Sequence, residues 1–161
     1  MRLFTKNVLG IALIGTITLA SATMVLADKK PKGAKATDPN VIIGLYSGKT
    51  SKWNRGGYAY WQSNGEYHGI GSKGDWVGIG KWYVTTKSKL CNETQWHGIK
   101  DGKQTQSPHK FCMEFVTAPD GTIWERNVTE KSDWYRHKTS KQTKGDTQKR
   151  KFSALRKQFG V

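Results

Sequence analysis

Four histidines, two cysteines and twelve acidic residues are the side chains from which this 161-residue chain could build a reactive site. The histidines are His68, His97, His109 and His137, and no pair has the H-x-x-x-H spacing of a metal site. His97 and His109 flank a hairpin loop expected over 97–109, so they could meet across its base. Two imidazoles without a nearby thiolate or carboxylate are too few for a closed zinc site. Glu66 and Asp75 could face each other across a turn, as the carboxylate pair of a glycosidase does. The same residues also suit solvated positions on a sheet. There is no G-x-S-x-G elbow and no S-x-x-K that can be matched to a base. GIGSKG, residues 69–74, opens no helix after a parallel strand, so its glycines read as turn glycines rather than a phosphate cradle. The sequence therefore names no reaction, no metal and no cofactor, and a non-enzymatic role is expected.

The elements that position these residues begin after a removable leader. Arg2 and Lys6 precede an apolar stretch that ends in Val25-Leu26-Ala27. That order is a charged n-region, an h-region and a small-residue cleavage site, so residues 1–27 are expected to be a signal peptide. An uncleaved anchor is the rival reading, because Val8–Ala27 is long enough to cross a bilayer. Export implies a periplasmic or secreted protein, and it makes Cys91 and Cys112 an expected disulfide. Residues 28–40 are Lys/Pro/Gly-rich and read as a flexible polar leader. Thr37 or Asp38 could cap a short helix from Pro39, with Gly48 as its stop.

Residues 41–137 read as one β-domain. Aromatic-rich runs are separated by turn signals such as Ser63-Asn64-Gly65, Asp101-Gly102 and Pro119-Asp120-Gly121. The pattern predicts a mainly β fold, an antiparallel meander forming a small barrel or a strongly curved sheet. It carries a short N-terminal helix and a basic C-terminal helix. In GDWVGIGKWYV, alternation places Trp76, Gly78, Gly80, Trp82 and Val84 on one face. Glycines between large rings mark a bend, or a place where rings fold over bare backbone. Those rings could be core, or Trp61, Trp76, Trp82 and Trp96 could face a ligand. If Cys91 lies opposite Cys112, then Lys89 faces Glu114 and Glu93 faces Lys110. Leu90, Thr94 and Trp96 then join Phe111, Met113 and Phe115 on the other, apolar face.

The ordered series LYSGKTSKW, GGYAYWQSNGEYHG, GDWVGIGKWYV, LCNETQW, FCMEF and DGTIWER resembles a secreted bacterial family known as domain of unknown function 995. The resemblance spans about residues 41–137. It implies a secreted or periplasmic, single-domain, β-rich protein, and it implies no catalytic residues. The basic segment after about Lys138 lies outside that span.

Charge separates this last segment from the rest. Residues 41–130 hold eleven Lys/Arg against eight Asp/Glu, whereas residues 131–161 hold ten against two. Residues 138–161 are expected to be a basic tail carrying an amphipathic helix. Within Gln148–Phe159, Phe152, Leu155 and Phe159 form one apolar stripe, surrounded by Lys149, Arg150, Lys151, Arg156 and Lys157. Such a helix either docks on the sheet with its basic side solvated or binds an anionic surface. In an exported protein the candidate partners are phospholipid, acidic polysaccharide, wall polymer or another protein. Export removes nucleic acid from the usual targets. Two functions follow from these readings. One is an envelope-associated binding protein that uses its basic C-terminus. The other is a small-ligand-binding barrel with a Trp-lined pocket.

Overall fold

The computed structural model describes residues 29–54 and 56–161. The expected signal peptide lies outside the described residues. A two-residue strand β1 (Lys35–Ala36) leads into helix α1 (Pro39–Tyr46). The meander follows as β2 (Lys49–Lys52), β3 (Tyr58–Trp61), β4 (Glu66–Ile70), β5 (Val77–Val84), β6 (Lys89–Lys100), β7 (Lys103–Thr117), β8 (Ile123–Asn127) and β9 (Tyr135–Arg136). A single 3-10 turn (Thr139–Lys141), strand β10 (Gln142–Lys144) and helix α2 (Lys149–Phe159) complete the chain.

The sheet is antiparallel and curls into a half-barrel. Its strand order is β10-β2-β3-β4-β5-β6-β7-β8-β9, with β1 paired to β7. Neighbouring strands are sequence neighbours except at β10 and β1, so short turns make most of the connections. The chain runs directly from β9 to β10, the two ends of that order.

Register follows from the disulfide. Cys91 and Cys112 are opposed and bonded, with Cα atoms 4.1 Å apart. The Cys112 amide and carbonyl bond to Thr129 Oγ1 and the Val128 amide, away from β6. Cys91–Cys112 is thus a non-hydrogen-bonded pair, the closer of the two antiparallel pair types, and its Cα atoms sit slightly closer than the usual spacing of about 4.5 Å. Lys89 lies opposite Glu114 and Glu93 opposite Lys110, as expected. Glu93 and Lys110 form an ion pair at 2.9 Å, whereas Glu114 takes Arg126 of β8 instead of Lys89.

Residues 97–109 are not a loop. β6 and β7 continue to Lys100 and Lys103 and meet in a two-residue turn. Asp101 and Gly102 both have positive φ, 52° and 74°, the backbone of the hairpin turn that Asp-Gly favours.

Each face of the sheet is covered by one helix. On the concave face, Trp61, Tyr67, Trp82, Leu90, Met113 and Phe115 form a core with Ile42 and Tyr46 of α1. Asp38 caps α1 by accepting from the Asn40 amide, and Pro39 takes the first turn, where its missing N–H costs nothing. On the convex face, Phe152, Leu155 and Phe159 of α2 pack on Ile70 and Val77, with Ile79 at the margin.

Both flanking segments are tied to the sheet. Lys35 and Ala36 pair with Thr117 and Val116, and Thr37 is buried with its amide on the Phe115 carbonyl. The leader is therefore anchored over its second half. At the other end, Gln142–Lys144 pairs with Lys49–Ser51, so residues beyond 138 extend the sheet instead of trailing from it.

Candidate functional site

The most strongly charged surface is built on α2. Its apolar stripe is spent on the sheet: Phe152, Leu155 and Phe159 are each less than a tenth exposed. Burying three such side chains is worth about 1.5–3 kcal/mol each. The helix ends in a left-handed Gly160, whose amide reaches back to the last-turn carbonyls. Asp146 steadies the approach by accepting from the Gln148 amide. This geometry turns Lys149, Arg150, Lys151, Arg156 and Lys157 to solvent, all five exposed. Lys141 and Lys144 of the preceding turn and strand are exposed as well. Among the described residues, no Asp or Glu lies within ion-pair distance of the five helix cations, and Arg156 Nε donates to the Val161 carbonyl oxygen at 2.9 Å. The side chain of Lys151 lies over the bare backbone of Gly74 in the β4–β5 turn.

Beside this helix the convex face dips into an open trough of about 700 Å³. Its walls are Ile79 and Lys81 of β5, Glu93 and Gln95 of β6, and Pro108 and Lys110 of β7. Gly80 lies at its base, where β5 runs so close to β6 that a Cβ would collide with the Glu93 carbonyl. One wall is a row of alternating charge, with Lys81 3.2 Å and Lys110 2.9 Å from the Glu93 carboxylate. Tyr83 donates a third bond to it. The hydrogen bond from Lys110 leads those that pull the Glu93 pKa down to about 2, and the pairing raises that of Lys110. Ile79 belongs both to the trough wall and to the packing around α2, so the trough and the basic helix adjoin.

A third polar constellation is buried. The Tyr46 hydroxyl donates to Glu125 Oε2 at 3.0 Å, and His137 Nδ1 bonds the same oxygen at 2.9 Å. All three side chains lie inside, against Phe115 and Trp61. Burial, then the Glu125 charge, pushes the Tyr46 pKa well up, so the phenol stays protonated. The set joins α1, β8 and the segment after β9. On the convex face His68 stacks on Phe152, ring centres 4.0 Å apart, and burial lowers its pKa.

The sequence-derived candidates separate accordingly. Trp61 and Trp82 are core residues, edge to face at 5.9 Å, their indole N–H groups held by Ser51 Oγ and the Gln62 carbonyl. Trp96 is half-buried and lies over Gly69 and Gly78, and Trp76 lies over Gly98. The rings do fold over bare backbone, but the trough described above is lined by none of them. His97 and His109 stand opposite Gln106 and Thr94, on opposite faces of the β6–β7 hairpin, so they do not meet. Glu66 pairs with Lys81 at one end of the β4–β5 hairpin and Asp75 sits in the turn at the other, so they form no carboxylate pair. Sequence reasoning missed the Tyr46–Glu125–His137 set and the trough. The available signal for the set was Glu125 at an inward-facing position of an aromatic-rich strand.

A family model described as Protein of unknown function (DUF995) matches residues 11–156. The match runs well past residue 137 and takes in α2 as far as Arg156, so the basic helix is not an appendage to the matched domain. No curated protein and no solved structure matches the chain.

Proposed function

We propose, for a chain that belongs to the family of proteins of unknown function DUF995, that it is an exported, non-enzymatic binding protein. It holds an anionic component of the cell envelope on the basic face around α2. One observation carries this reading: five exposed cations, none paired with an Asp or Glu, ride on a helix whose apolar stripe is committed to the sheet. A docked helix of this kind presents charge on a fixed frame. It does not offer Phe152, Leu155 and Phe159 for insertion into lipid, so attraction is mainly electrostatic. The Cys91–Cys112 disulfide supports work in an oxidising compartment.

The test is binding across a salt series. Exposed charges are screened over about 8 Å at physiological ionic strength. Full-length protein should bind purified wall material or anionic vesicles at low salt and release them as salt rises. The variant with Lys149, Arg150, Lys151, Arg156 and Lys157 all changed to Gln should bind neither. Retention by that variant overturns the reading.

A further inference from the structure

We propose that the trough beside α2 binds a single strand of an acidic polysaccharide, with sugar rings seated on Ile79 and Pro108 and ring carboxylates held by Lys81 and Lys110. This inference rests on the reading of the basic face and gives that face its ligand class.

The chemistry of the walls points to this ligand. The side chains of Ile79 and Pro108 make a small apolar patch, a fit for the C–H face of a pyranose. Gln95 supplies an amide that can donate and accept, as ring hydroxyls require. Lys81 and Lys110 are pinned on either side of Glu93, yet their side chains remain 68 % and 62 % exposed. Each ammonium has further donors to give. Glu93 thus acts as a positioning residue that fixes two cations along one wall. The other wall adjoins α2, whose cations continue the positive surface beyond the trough.

Other anionic partners fit less well. A bilayer presents headgroups to this surface and no ring to rest on Ile79 and Pro108. An extended peptide gains most of its affinity by adding to a free strand edge. The trough lies over β5 and β6, which are paired on both sides there, and on β7 at a point where its free outer edge carries Pro108, which has no N–H to give an added strand.

The probe is a galacturonate hexamer, with its methyl-esterified form as an uncharged control and phosphatidylglycerol vesicles as the lipid control. Two full-length variants test the trough. Lys81→Gln with Lys110→Gln removes the cations, and Gln95→Trp fills the space without altering charge. All changes lie on the exposed face, and unchanged thermal unfolding verifies the fold. The hexamer should bind wild type more tightly than its ester does and shift the Gly80 and Thr94 amide resonances. Each variant should weaken binding about tenfold or more, a loss of about 1.4 kcal/mol. Vesicle binding should be the same for wild type and both trough variants. Shifts confined to α2, or trough variants that bind the hexamer like wild type, overturn the trough while leaving the basic-face reading intact. Vesicle binding without hexamer binding overturns it too. Failure of wild type to bind either probe overturns both.

Discussion

At the residue scale, the least expected feature is Glu125, a carboxylate buried among aromatic rings and held by Tyr46 and His137. Removing one partner of such a set leaves the others without their bond, which costs more than the bond contributes when formed. Glu125→Leu should therefore lower unfolding stability by about 3 kcal/mol. Glu125→Gln, which keeps an acceptor, should cost less. Urea unfolding of the two variants checks this, and equal losses would refute it. His68 gives a pH prediction of definite sign. Its folded pKa lies below its ordinary 6.5, so the unfolded chain binds the proton more readily. Its contribution is complete above pH 6.5 and is lost as pH falls through the folded value. Facing it are Asp146, Glu66 and Arg156, the acids opposing the shift and Arg156 reinforcing it. His68→Gln should flatten the stability profile as pH falls below 6.5, measured by thermal unfolding. An unchanged slope would contradict the assignment.

At the scale of elements, the disulfide and α2 are the two clasps. Replacing Cys91 and Cys112 by Ala should cost about 3 kcal/mol in the loop-closure account of a bridge of this span. The expected outcome is a lower urea midpoint with the same β-rich circular dichroism. Phe152→Ala should loosen α2 first, seen as faster amide exchange in Lys149–Phe159 than in β6. Much of this was legible in the sequence. The β6–β7 register followed from two cysteines, two charge pairs and an apolar face that agree in only one alignment. The start of α1 was marked by Asp38 and Pro39, residues whose backbone preferences are local, while its end falls at Tyr46, just short of the expected stop at Gly48. The missed parts depend on distant partners. Gln142-Thr143-Lys144 carries no alternating apolar pattern, and only the Lys49–Ser51 edge makes it a strand. Lys35–Ala36 is likewise a strand because β7 offers an unfilled position. The hairpin beyond Trp96 is polar and looked like loop until the Asp101-Gly102 turn is seen to join its strands. The trough was invisible because its walls come from three strands, β5, β6 and β7, a juxtaposition that no local pattern encodes.

At the scale of the molecule, the sheet separates its two faces. The concave side is filled by aromatic packing and α1, while the convex side carries α2, the trough and the positive charge. Deleting the C-terminus is therefore a poor test of binding. It would strip Phe152, Leu155 and Phe159 from Ile70 and Val77 and expose a new apolar surface. Neutralising the five cations in place keeps the fold and removes only the charge. The measurement that tests the central claim most directly is co-sedimentation with purified wall material and with anionic vesicles across a salt series. Wild type should be compared with the variant carrying Gln at 149, 150, 151, 156 and 157. The account predicts salt-sensitive sedimentation of the wild type and none of the variant. Equal sedimentation of both, or wild-type binding indifferent to salt, would contradict it.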